Sequence, residues 1–156
     1  MIYRVSLGEK LSQGDIIRGV KVVINVSDPE NNLPKYDSSH IIVISRNCEI
    51  DKPIKISTGT NSVLVARVMR ISSAPQGAQG YLRANRVVNA FFLPGQEGFM
   101  EDCYVDWRTL QPVDKSNLYA LRSQTQNYRC TLEKEVLEAC LDSLFIFITK
   151  PDDEDN

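Results

Sequence analysis

The 156 residues carry 18 Lys or Arg against 20 Asp or Glu, a formal net charge of −2, with 42% hydrophobic residues, 8 Gly and 7 Pro. A chain of this length suits one domain that buries about 70% of its unfolded surface without staples, and the composition excludes collagen-like, low-complexity and wholly disordered proteins. Apolar runs such as Ile41–Ile44 and Leu144–Ile148 fall far short of the about 20 residues that span a bilayer, so no membrane partner is expected.

Met1–Ser6 reads as a short strand rather than a secretory signal, which gives the expectation of a cytoplasmic protein. Leu7-Gly8-Glu9-Lys10 is a turn. Gly14-Asp-Ile-Ile-Arg18 opens the next strand, with Gly19 marking a bulge and the β-branched Val20–Val26 continuing it. Residues 27–39 form a polar loop rich in turn residues, long enough to carry function. The continuously apolar His40-Ile-Ile-Val-Ile-Ser45 predicts a central buried strand, and Val63–Ile71 another that carries two arginines. Residues 72–80 lack any bulky side chain and read as a flexible insertion; Val87–Leu93 and Cys103–Asp106 are further strands, parted by Pro94-Gly95 and the acidic turn 96–102.

A helix is predicted from an N-cap at Thr131, with Glu133 and Glu135 in its first turn. Leu132, Val136, Leu137, Cys140, Leu141, Leu144 and Phe145 make its apolar stripe. Phe145–Thr149 fits either the end of that helix or a closing strand. Many short strands and one late helix give a mainly β fold, a small barrel with a packed C-terminal helix, over a single domain 1–150. Residues 151–156 read as an acidic disordered tail, a solubilising end or a mimic of nucleic-acid charge.

Charge is unevenly spread. Residues 52–96 hold Lys52, Lys55, Arg67, Arg70, Arg83 and Arg86 and no acid, a net of +6, whereas residues 1–51 sum to −1 and 97–156 to −7. Arginines interleaved with Tyr81, Phe91 and Phe92 suit phosphate contact and base stacking on single-stranded nucleic acid. The alternative is that they pair with acids elsewhere in the fold. The cysteines, 48, 103, 130 and 140, lie too far apart for a zinc ribbon, and they read as reduced thiols. No Walker loop, GxGxxG, HExxH or GxSxG is present, and no cofactor or metal is implied. Cys48, in the polar turn Arg46-Asn-Cys-Glu-Ile-Asp51, lies eight residues from His40, the sole imidazole. Arg46, Cys48, Glu49 and Asp51 are therefore the candidate catalytic residues of an unrecognised enzyme, with Glu49 and Asp51 alternatively a hard-cation pair or turn caps.

Gly14-Asp-Ile-Ile, the polar loop, Ile41-Ile-Val-Ile-Ser45, Val63-Leu-Val-Ala-Arg-Val-Met69 and, later, Val113-Asp-Lys-Ser-Asn-Leu118 follow one another in an order that resembles the MazF/PemK-type toxins. Ser45-Arg-Asn-Cys-Glu-Ile-Asp51 resembles the S-x-x-C-[DE]-[IL] signature of a divergent branch, of which residues 72–101 would be an elaboration. The resemblance implies an SH3-like β-barrel, cytoplasmic and of bacterial or mobile-element origin, that acts on single-stranded RNA without metal. It also implies an antitoxin partner and a homodimer. The family's catalytic arginine and threonine fall on Ser39 and Met69, which can do neither job, so Arg46, Arg67 or Arg70 would have to replace the arginine. RNA contacts are expected from Arg67, Arg70, Tyr81, Arg83 and Arg86. The competing reading is a protein-interaction module on the same barrel, with specificity from the loops 27–39 and 72–80.

Overall fold

Ile41 and Val43 bury their side chains on one face of a sheet, and Ile42 and Ile44 on the other. That is why the segment is apolar throughout rather than alternating: both faces are covered. The structure, a computed structural model, describes residues 1–8, 10–24, 34–51 and 61–150. Lys52, Lys55, most of the polar loop and the acidic tail lie outside the described residues. Among the described residues are seven strands, β1 (Tyr3–Arg4), β2 (Asp15–Ile24), β3 (Lys35–Val43), β4 (Ser62–Arg70), β5 (Ala90–Leu93), β6 (Cys103–Asp114) and β7 (Tyr128–Leu132). They pair antiparallel in the order β1-β7-β2-β3-β4-β6-β5 and curl into a half-barrel. The helices are α1 (Asn47–Ile50), α2 (Gln76–Arg83), α3 (Lys115–Ser123) and α4 (Lys134–Thr149). The mainly β fold with a C-terminal helix is the one the sequence predicts, and no described helix is long and apolar enough to cross a membrane.

One core fills the space between the sheet and α4. Ile16, Ile42, Ala66, Val68, Val105, Trp107 and Cys130 meet Cys140 and Leu144 there. A second core, on the opposite face, joins Ile17, Val20, Val22, Ile41, Val43, Val63 and Val65 to Ile50 of α1 and Leu118 of α3. A third, smaller one packs Leu82 of α2 on Ile71 and Ala90. Burying a side chain of this size contributes about 1.5–3 kcal/mol, so the two large cores carry most of the stability.

Several expectations are corrected. Thr131 does not cap a helix: it is a fully buried residue of β7, and α4 starts after Glu133, whose backbone carbonyl takes the Leu137 amide. Leu132 therefore packs from the sheet rather than from the helix stripe. Phe145–Thr149 completes α4 but leaves Phe145 66% exposed. Residues 72–80 are not a loose insertion, since a 3-10 turn at Ile71–Ser73 leads into α2, anchored by Leu82. The polar loop ends sooner than expected, because Lys35–Ser39 already pair with β2. Residues 87–89 form a turn before the short β5. β6 runs on to Asp114, whose side chain caps α3 by accepting from the Asn117 amide at 3.1 Å.

Candidate functional site

The pairing of β2 with its neighbours slips twice, and each slip delivers an arginine. On one side Ile17 pairs with Ile41 and Val20 with Ser39, so Arg18 and Gly19 together stand opposite His40. Gly19 has φ +76°, a left-handed conformation that favours glycine. On the other side Ile16 pairs with Cys130 and Ile17 with Tyr128, which leaves Arg129 as the extra residue of β7. Bulges re-aim side chains in this way. His40 pairs with Val68 in β4, and Arg70, two residues on, shares its face.

The result is a narrow recess of about 50 Å³ lined by His40, Val68, Arg70, Met100, Glu101, Cys103 and Arg129. Arg70 Nε lies 2.8 Å from Glu101 Oε1, and Arg129 Nη2 donates to the Phe99 carbonyl at 3.3 Å. Burial holds the His40 imidazole below its ordinary pKa, and the charges of Arg129, Arg18 and Arg70 push the same way against the weaker pull of Glu101. A neutral imidazole with Arg70, Arg129 and Glu101 beside it, and Arg18 in the bulge opposite, suits an anion, with one ring nitrogen able to donate and the other to accept. Cys103 in its wall is a poor nucleophile, its thiol pushed by burial up to about 11.

The residues expected to contact RNA are dispersed. Arg67 faces the side of the sheet opposite Arg70, as strand alternation requires, and its Nε donates to Ser39 Oγ at 3.2 Å. The register that sets His40 against Val68 also places Ser39 beside Met69, so the two positions singled out by the resemblance are neighbours, with a guanidinium at one of them. Tyr104, raised in pKa chiefly by burial, and Asp106, bridged to Arg108 Nε at 3.1 Å, belong to this face. Arg83 binds Asp102 at 3.2 Å; the Gly95 amide and Arg83 together hold that carboxyl below the usual range. Arg70 and Arg83 thus pair with acids, the alternative weighed above. Tyr81 is exposed on α2, and Arg86 lies in a separate groove beside α4.

The α1 turn brings Arg46, Cys48, Glu49 and Asp51 together. Arg46 meets Glu49 at 3.6 Å, Asp51 meets Lys10 at 3.2 Å, and Cys48 is exposed and absent from the recess around His40. Among the described residues no three of His, Cys, Asp and Glu are grouped to hold a metal ion. Arg18 and Arg129 escape a reading by sequence blocks because they lie 111 positions apart and outside the basic segment; the only local signal was Gly19. The chain matches no protein-family model and no curated protein.

Proposed function

We propose that this is a MazF/PemK-like cytoplasmic barrel that binds single-stranded RNA, with a phosphate of the strand in the recess around His40. The observation that carries the reading is the placement of Arg70 and Arg129 in the recess beside one half-buried imidazole, with Arg18 in the bulge opposite it. Guanidiniums suit phosphate because their donors are fixed in a fork and stay charged. The order of motifs and the contact between Arg67 and Ser39 support the family part of the reading, and four free thiols fit a reducing compartment.

The test is fluorescence anisotropy of a labelled single-stranded oligoribonucleotide in EDTA over a salt series. Binding is expected to weaken with a log–log slope of about −0.7 per phosphate neutralised. Arg129→Gln should lower both the affinity and the slope. An unchanged affinity across the series would overturn the proposal, and a gel of the same samples reads cleavage directly.

A second reading, a protein-interaction module, is favoured by a groove of about 370 Å³ between α4 and residues 85–91. Val88, Phe91 and Ile146 line it beside Arg86 and Asp142, and Phe145 and Ile148 stand exposed close by in sequence. Exposed apolar clusters of this kind mark contact surfaces. Antitoxin or self-association would engage it, and light scattering of the pure protein with and without Ile146→Glu separates the latter.

A further inference from the structure

We infer that the recess around His40 recognises a terminal phosphate monoester of the RNA rather than an internal phosphodiester. The inference rests on the RNA-binding reading above and sharpens it to one feature of the strand. Charge is the first argument. Arg70 and Arg129 line the recess with Glu101, and Arg18 stands outside that lining in the exposed bulge opposite His40; with the imidazole neutral, these four charged groups sum to two positive charges. An internal phosphodiester carries a single negative charge, whereas a phosphate monoester carries about −1.5 to −2 at neutral pH. The monoester matches the site and the diester leaves it half compensated.

Shape is the second argument. The recess holds about 50 Å³, against about 370 Å³ for the groove beside α4, and Val68, Met100 and Cys103 give it an apolar wall. A polynucleotide passing through needs a channel that continues on both sides of the phosphate. A narrow recess takes a group that ends there, with one ester bond leading out and three oxygens turned inward. Three unesterified oxygens also give the guanidinium forks and an imidazole N–H more acceptors than the two of a diester.

The proton balance is consistent with this. His40 is held neutral by burial and by the same arginines that draw the ligand, so a dianion that cancels their charge returns the imidazole toward its ordinary basicity. The ring then serves as an added donor to the bound phosphate.

The test uses the full chain and four hexaribonucleotides of one sequence with an internal fluorophore: 5′-phosphorylated, 3′-phosphorylated, hydroxyl at both ends, and 5′-phosphate blocked as its methyl diester. One of the two monoesters is expected to bind at least about tenfold tighter than the hydroxyl form, the worth of one added charge-assisted hydrogen bond, and which one identifies the end read. The methyl diester should lose that gain. Arg18→Gln, an exposed bulge position, and Arg129→Gln should each erase the preference while thermal melting shows the domain folded. Equal affinity for all four ligands overturns this inference and leaves RNA binding standing. Binding of none overturns both. A preference that survives both substitutions places the end-reading site elsewhere and overturns the assignment to this recess.

Discussion

Asp15 and Arg122 meet 3.2 Å apart in a fully buried ion pair, 107 residues apart in sequence. Asp15 Oδ2 also accepts from the Ser12 amide at 2.8 Å, and Oδ1 accepts from the Thr131 hydroxyl. The Arg122 guanidinium stacks 3.6 Å over the Tyr128 ring and reaches the Ser6 carbonyl at 3.2 Å. One network therefore ties α3 to β2, β7 and the N-terminal segment, with its polar atoms paired. Removing one member leaves a buried charge without compensation, so Arg122→Met should cost about 3–5 kcal/mol. Urea denaturation measures this, and the double variant Asp15→Asn with Arg122→Met should recover part of the loss. A cost under about 1 kcal/mol, the range of surface pairs, would show that the network contributes little.

The half-barrel is drawn together by a side chain acting as backbone. Gln111 of β6 accepts from the Val23 amide at 2.9 Å and donates to the Val23 carbonyl at 3.0 Å, so its amide replaces a missing strand partner for β2. Each such bond is worth about 0.5–1.5 kcal/mol net. Gln111→Ala should destabilise by roughly 1–2 kcal/mol on that basis and speed hydrogen exchange at Val23 while leaving Ile42 protected. Equal exchange at Val23 in both proteins would show that the amide clip does not hold the strand.

Helix α4 is docked through the only tryptophan. Trp107 is buried beneath it and donates from Nε1 to Ser143 Oγ at 3.0 Å, next to Leu144 in the core. Ser143→Ala orphans a buried N–H, which costs about 1–3 kcal/mol, whereas Leu144→Ala opens a cavity at about 2–5 kcal/mol. Tryptophan emission reports both, since loosened packing lets water reach the indole and moves the emission to the red. Two variants with wild-type midpoints would mean that α4 adds no stability to the sheet.

The sequence patterns that proved readable are those set by local burial. Ile41–Ile44 had to be a central strand because four consecutive apolar side chains need cover on both faces, and Val136, Leu137, Cys140, Leu141 and Leu144 had to be helical because only a 3.6-residue period gathers them. The helix start was misplaced because Thr131 and Leu132 satisfy a capping pattern that the sheet overrides: Thr131 spends its hydroxyl on Asp15 instead. Helix α2 was hidden by Gly77 and Gly80, and its single anchor, Leu82, has meaning only once Ile71 and Ala90 are beside it. The recess around His40 was hidden more deeply. His40, Arg70 and Arg129 share no motif and meet in the recess, with Arg18 in the bulge opposite His40, only through two bulges and the antiparallel order of β7, β2, β3 and β4.

Thiol chemistry divides the four cysteines. Cys48 is exposed on α1, while burial pushes Cys103 to about 11 and Cys130 and Cys140 to about 12. Only the thiolate reacts, so native protein at pH 7.5 should take one equivalent of a chromogenic disulfide reagent quickly and four after denaturation. Cys48→Ser should remove the fast equivalent and leave stability unchanged. Rapid labelling of a second site would contradict the burial of the core thiols.

His40 sets the sign of one pH dependence. Burial and the neighbouring guanidiniums lower its folded pKa from the ordinary 6.5. Between the folded value and 6.5 the unfolded chain binds the extra proton and the native chain does not. Stability therefore rises with pH across that window and is lost as pH falls through it, from about 6.5 down to the folded pKa. His40→Gln should flatten this part of the profile, leaving acid unfolding at lower pH to the carboxylates. Because the chain holds a single histidine, its ring proton resonance titrates without ambiguity. A native midpoint at or above 6.5 would place the imidazole near a compensating acid rather than among the arginines, and the charge count of the recess would fall with it.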